Sequence, residues 1–470
     1  MPLRFPPLHL RWRGAGGEVK LKNMKHLPIL FILIICTSCK KFLDKKNDKA
    51  LAVPSTLQDA QALLDNYTIP NTFYSSAGAQ SDDDYFLDDV YFNTMTVENQ
   101  NNYTWQKEAY NPTHWSLLYI IVYYANNALE TVNKVQPTPY NVAEYNSVKG
   151  QALFFRSYAF WHIAQLWAVP YNKSTAAVDL GIPLRLSADP NPPSKRSSVE
   201  QTYNQVIADL KLAASLLPVN VPVKSRHSKA AAFGALARTF LSMQEYSLAG
   251  LYADSCLQLY NTLVNYNTIS QTSATPFALF NSEVIFQSQF LGTPLVSVTN
   301  WKVDSLLYKS YDQNDLRKTL FYTSDGTGTY GFKGSYNAIT SGANFNGLAV
   351  DEIYLVRAEC NARAGNKEAA MNDLNTLLFT RWKTNTYTPI TAADADDALN
   401  KIMLERRKEL VGRGLRWFDL RRLNKESRFA KTMIRKVNNT IYQLAPNDKR
   451  YTFYIPLTVI DFTGMQQNER

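Results

Sequence analysis

Cysteine and histidine are both scarce: the 470 residues hold four Cys and five His. Cys36 and Cys39 stand near the start, so only Cys256 and Cys360 remain for a folded body, each on an apolar helical face. Buried thiols are expected there, not a disulfide framework. Cys36 and Cys39 mimic a C-x-x-C pair, but zinc or redox chemistry would need partners in a folded domain. His9 and His26 lie in the leader, and His114, His162 and His227 show no metal-ligand spacing. No G-x-S-x-G occurs. Gly326, Gly328 and Gly331 spell G-x-G-x-x-G, but the surrounding SDGTGTYGFKGSYN lacks the strand and helix that a dinucleotide loop requires. It reads as a solvent hairpin. With no nucleophile–base pair, metal cluster or phosphate loop, no catalytic residue, metal or cofactor is expected.

The formal net charge is +10, but six Lys and Arg against one Glu precede Cys39, so half of the excess belongs to the leader. The rest gives no reason to expect a nucleic-acid partner. Met24 opens a better-formed leader than Met1: Lys25 is the charged start and Leu27–Ile35 the apolar run, too short to span a bilayer. Cys39, after Thr37 and Ser38, fits a lipoprotein cleavage site. The expected organisation is a leader over 1–38, a lipidated tether over 39–53 and one domain over 54–470.

What the chain does have is helical periodicity and aromatic residues, 13% of the total with 28 Tyr. Leu118, Ile121, Val122, Ala125, Leu129 and Val132 repeat at three and four, predicting a helix over 115–135. A second runs over 142–167, and a third from Val199 stops at Pro218. Asp189–Ser197, rich in proline, reads as a linker. Within 228–260, Phe233, Leu236, Ala237, Phe240, Tyr246, Ala249, Ala253 and Cys256 follow tetratricopeptide spacing, in which small residues admit close helix approach. Val350–Phe379 repeats that hairpin about the turn Gly365-Asn366. A further helix, with Thr391 and Asp394 as its capping box, is stopped by Gly412 and Gly414. The fold class is therefore mainly α: an α-α superhelix of tetratricopeptide-like hairpins, about 115–260 and 349–423. An irregular lobe with short strands, about 69–111 and 265–348, completes it.

Two segments, RAECNARAGNKEAAMNDLN (Arg357–Asn375) and ERRKELVGRGLRWFDLRRL (Glu405–Leu423), resemble the C-terminal signature of the SusD/RagB family. These are surface lipoproteins that capture nutrients for outer-membrane transporters. The Phe-Leu-Asp after Cys39, the Val169-Pro170-Tyr171 closing a long helix, Asp315-Leu316-Arg317 and the closing Gln-Asn are similar to family features. Arg413 stands where the family commonly has Glu, which puts one ion pair in question. The resemblance implies an outer-membrane lipoprotein anchored through Cys39 and facing the cell exterior. It would bind a glycan or oligopeptide and deliver it to a SusC-like TonB-dependent transporter.

Two other readings stand beside it. Asp82, Asp83, Asp84, Asp88 and Asp89 could serve a secreted glycoside hydrolase, although a solvated acidic loop fits their spacing better. A tetratricopeptide scaffold for another protein is the third. The charge run Glu405–Arg422 is expected to be an internal network, with Arg406–Glu409 and Arg416–Asp419 three residues apart as possible pairs. Loop aromatics offer flat faces to sugar rings at low entropy cost. Of Tyr103, Trp105, Trp301, Tyr308, Tyr311, Tyr322 and Tyr330, the ligand-binding set is expected to be Tyr103, Trp105, Trp301 and Tyr311. The transporter is expected on the tetratricopeptide side.

Overall fold

The computed structural model describes residues 54–470; the leader, Cys39 and the tether lie outside the described residues. The main helices are α1 (Leu57–Leu64), α2 (Pro112–Lys134), α3 (Val142–Trp167), α4 (Val199–Leu216), α5 (Lys229–Ser242) and α6 (Tyr246–Leu259). After an irregular lobe come α7 (Val350–Arg363), α8 (Lys367–Phe379), α9 (Ala395–Glu409) and α10 (Arg416–Leu423). Each helix packs mainly on the next: α1 on α2, and so on to α6 on α7, with α8 and α9 both against α7. That serial stacking is the α-α superhelix the periodicity predicts.

The centre is α3. From Gly150 to Trp167 every residue is buried, as suits a helix apolar on all sides. The cation within that buried stretch, Arg156, is held by Asp209 of α4 through two 2.8 Å bonds and by Asn126 of α2 at 3.1 Å. In the α5–α6 hairpin, Leu236, Ala237 and Phe240 meet Ala249, Ala253 and Cys256, all buried. Gly250 lets α6 approach α7: an added Cβ there would stand 3.0 Å from Cys360 Cβ. The turn between α7 and α8 needs Gly365, whose φ of +84° costs a glycine nothing.

The lobe holds a four-stranded antiparallel sheet in the order β1 (Tyr85–Phe86), β5 (Lys302–Val303), β7 (Tyr330–Phe332), β6 (Tyr322–Ser324). The β6–β7 connection is the glycine-rich hairpin; Thr323 pairs with Gly331. Smaller pairs are β2 (Leu180–Pro183) with β3 (Arg196–Ser198), β4 (Val284–Phe286) with β8 (Leu348–Ala349), and β9 (Met433–Val437) with β10 (Thr440–Leu444). The end of the proline-rich linker is therefore strand β3. Helix α2 starts three residues early, because Pro112 is well placed at a first helical turn. Asp394 alone caps α9, accepting from Asp397 N at 2.8 Å, without the expected contribution from Thr391.

The charge run Glu405–Arg422 is internal, but its pairs are not the expected ones. Arg406 bonds Asp419 at 2.8 Å, and Arg416 bonds Asp83 at 2.6 Å. Arg317 reaches Asp315, Glu405 and Glu409, the last at 2.9 Å. Arg381 joins Glu409 at 2.8 Å to Glu283 beside β4. Arg413, in the position unusual for the family, bonds Asp351 of α7 and lies 4.0 Å over the Tyr336 ring. Removing one partner of such a buried pair strands the other's charge. Arg381→Met leaves Glu283 and Glu409 short of a counter-ion and should lower unfolding free energy by about 3–5 kcal/mol, read from urea midpoints. A loss under 1 kcal/mol would show that the network contributes no more than a surface pair.

Burial pushes Glu283 up to about 7 from its ordinary 4.5, with Asp351 and Glu409 adding to the rise and Arg381 opposing it. Between those values the folded chain keeps a proton that the unfolded chain has released, so this group's contribution to stability falls as pH rises. Replacing it by Gln should flatten that part of the profile: the stability of wild type relative to Glu283→Gln should decline from pH 4.5 to 7. A constant difference across that range would mean that folding leaves the Glu283 carboxyl unshifted.

Candidate functional site

The four aromatics expected to bind ligand are all buried, at 1% (Tyr103), 1% (Trp105), 3% (Trp301) and 2% (Tyr311) exposure. Tyr103 accepts from Leu87 N at 2.8 Å and lies 3.7 Å under the Arg435 guanidinium, and Trp105 Nε1 donates to Ser81 O at 2.8 Å. Trp301 stacks on Tyr85 with centroids 5.6 Å apart, and Tyr311 donates to Lys408 O at 2.7 Å. In this conformation their faces are spent on packing, and the polar atoms of Tyr103, Trp105 and Tyr311 on the backbone. Tyr322 is buried too, while Tyr308 and Tyr330 are half-buried and stacked on one another at 3.7 Å. The correction has a simple cause. The lobe has little regular structure, so its core is assembled from large rings, and an aromatic in a loop is there an interior residue.

The acidic segment is corrected as well. It is solvated only at Asp88 and Asp89, which are exposed: Asp82 and Asp84 are buried, and Asp83 accepts from Arg416 at 2.6 Å and from Lys431 at 2.6 Å. Arg407 bonds Asp84 at 3.1 Å. Burial works against the Asp83 charge, but Arg416, Arg407 and Lys431 hold its carboxyl well below the usual range. Burial lifts Asp84 to about 6 despite Arg407. Asp88 caps a short helix through Tyr91 N, and Asp89 accepts from Asn438 N. These contacts tie the segment to α9, α10 and the β9–β10 hairpin.

A surface with the chemistry sought in the lobe is found instead on α8. Asn372, Asn375, Thr376 and Phe379 fall at positions i, i+3, i+4 and i+7, one face of the helix. The opposite face, Ala370, Leu374, Leu377 and Leu378, is core. Phe379, the last helical residue, is 71% exposed. With Tyr354 of α7, Tyr387 and Pro389 beyond α8, and Asn261 and Leu263 after α6, this face forms a groove of about 630 Å³. No charged residue among the described ones lines it. Asn375 fixes the far wall, accepting from Tyr387 Oη and from Ile390 N at 2.8 Å and donating to Ile390 O at 3.0 Å. The Tyr387 ring stands edge-on to Phe379 with centroids 6.4 Å apart. Three rings with uncharged amides and hydroxyls around them can stack on the apolar face of a sugar and bond its hydroxyls. The signal for this groove was present in the sequence: a large apolar residue on the polar face of an amphipathic helix.

Comparison with known proteins agrees across the chain. A SusD-like family described as starch-binding and associating with the outer membrane matches residues 41–241, and the SusD family matches residues 309–459. SusD-like protein P25 of Formosa agariphila is 24% identical over 297 residues, 58% of this chain and 52% of its own length, so the match spans about half of that relative. SusD-like protein P2 of the same organism is 22% identical over 369 residues, 66% of this chain and 71% of its own. Among solved structures, a SusD superfamily protein of Bacteroides thetaiotaomicron has a TM-score of 0.71 at 22% identity, covering 88% of this chain and 100% of that one. Surface glycan-binding protein A of Bacteroides fluxus has a TM-score of 0.65 at 16% identity, covering 88% and 99%. With family matches on both halves and the same fold between them, the chain belongs to the SusD/RagB family.

Proposed function

We propose that the protein is a glycan-binding component of nutrient uptake at the outer-membrane surface, a binder and not a catalyst. Its ligand occupies the groove of Tyr354, Phe379 and Tyr387. The observation that carries this reading is the lining itself: three rings, Phe379 exposed and Tyr354 and Tyr387 half-buried, with side-chain amides and no charged residue among the described ones. Such a surface suits neutral sugar better than an oligopeptide, whose charged termini would find no partner there. Starch binding in the family description and glycan binding in the name of the Bacteroides fluxus relative support the ligand class. The bound glycan is then handed to a TonB-dependent barrel. No described helix is long and apolar enough to cross a membrane, so the proposed attachment is the acyl group on Cys39.

A ring stacked on a sugar contributes on the order of 1 kcal/mol beyond area burial, which is about fivefold in affinity. Phe379→Ala should weaken binding of a retained oligosaccharide by about fivefold to tenfold in isothermal titration. Its melting temperature should not change, since the side chain is exposed. Unaltered affinity would move the ligand off α8, most directly to the half-buried Tyr308–Tyr330 pair of the lobe.

Stable membrane attachment needs more than one acyl chain, which a lipoprotein cysteine supplies. Cys39→Ala should shift the protein from the membrane pellet to the soluble fraction. Retention in the pellet would mean that the leader has been misassigned.

A further inference from the structure

A second cavity, of about 440 Å³, lies where the C-terminal end of α10 meets the segment following α3 and the C-terminal tail. Arg421 forms part of its wall and is 3% exposed. Its Nη1 and Nη2 donate to the carbonyl oxygens of Ala164 and Ala168 at the end of α3, the negative pole of that helix. Its Nε has no partner among the described residues. No described carboxylate reaches this guanidinium, whereas Arg156, Arg238, Arg317, Arg381 and Arg422 each hold at least one. A buried cation without a counter-ion is costly, and burial lowers its pKa to about 10.

Lys425, just past α10, lines the same cavity and donates only to Tyr171 O. Desolvation of its ammonium, with repulsion from Arg421, brings its pKa down to about 8 against the pull of Asp179, although the side chain as a whole is exposed. Asn424 stands between them, buried, with its Nδ2 unpartnered. The acids around the cavity are otherwise engaged. Asp448 is bonded to Arg450 at 2.8 Å, Glu469 to Lys449, and Asp179 accepts the Thr175 hydroxyl at 2.6 Å. The wall therefore offers three donors from consecutive parts of one chain turn, with the Arg421 charge unpaired among the described residues and the Lys425 charge only partly offset by Asp179. The volume falls within the range of small-ligand sites and admits a single sugar ring.

We propose that this cavity binds the carboxylate of a sugar acid, a uronate, with its two oxygens shared among Arg421 Nε, Asn424 Nδ2 and Lys425 Nζ. The carboxylate supplies the counter-charge that Arg421 lacks, in charge-assisted hydrogen bonds about twice as strong as neutral ones. The site is separate from the α8 groove in every lining residue. It stands whether or not neutral glycan binds there. Isothermal titration with galacturonate, galactose and inorganic sulfate tests it. Galacturonate should bind at least tenfold more tightly than either of the others. Lys425→Gln, at an exposed position, should lose at least tenfold in galacturonate affinity at unchanged melting temperature, while Phe379→Ala should lose none. Galactose binding as well as galacturonate, or full affinity in Lys425→Gln, would overturn the proposal. Sulfate binding as well as galacturonate would overturn the sugar acid in favour of an inorganic oxyanion, and loss in Phe379→Ala would make the two sites one.

Discussion

Arginine–carboxylate pairing in the interior is the constraint on which the arrangement of this protein depends. Helix α7 is its hub. Asp351 is bonded by Arg413, Glu352 by Arg238 of α5, and Glu359 by Arg422 of α10. Arg381 draws Glu283, before the β4–β8 pair, to Glu409 of α9, and Arg317 draws the lobe to the same glutamate. Every one of these links joins segments distant in the chain. Apolar packing would hold the same helices together with little regard for rotation about their axes. A forked guanidinium meeting a carboxylate does not tolerate such rotation. The pairs are costly to bury, so their contribution is better read as fixing which helix faces which than as net stability.

That division of labour explains what could be read from the sequence. Helices α2 to α8 follow from apolar spacing, and the hairpins from their short turns, because those signals are local. The ion pairs could be foreseen as a network but not as partners. Spacing of three residues suggested Arg406–Glu409 and Arg416–Asp419, yet the fold directs Arg416 across to Asp83 and gives Glu409 to Arg317 and Arg381. Local charge spacing says only what is possible on one helix. Tertiary approach decides what is used.

Of the proposed site, the sequence suggested a kind of chemistry and the structure offers a place for it. Aromatic residues with amides line the α8 groove. The rule that loop residues are surface residues fails in the lobe, where Trp301, Tyr311 and Tyr322 supply the core. In the sequence Phe379 follows Leu377 and Leu378 and reads as their continuation. Yet it is one residue beyond the buried stripe, and that single step turns it to the face of Asn372 and Asn375. Arg421 looks like its neighbours in RWFDLRRL; only the structure distinguishes the guanidinium that has no acid from those that do.

The position of the lobe has a consequence for how the chain reaches this structure. Its smaller part, with β1, is inserted between α1 and α2, and its larger part between α6 and α7; in both cases the flanking helices pack directly against each other. The superhelix is thus a stack of neighbours interrupted twice, and the longer interruption falls at the junction that Gly250 and Cys360 close. Helices α2 to α6 can assemble as they emerge, each on the one before it. At the longer interruption, assembly must wait for a long excursion to be synthesised and brought back. Closing so long a loop costs only about 0.6 kcal/mol more than closing one half its length, so the toll is mainly in time. Until α7 docks, the outer face of α6 is left uncovered. The interval between synthesis of α6 and arrival of α7 is therefore when the nascent chain is most exposed to wrong association, and when a holding chaperone would matter most.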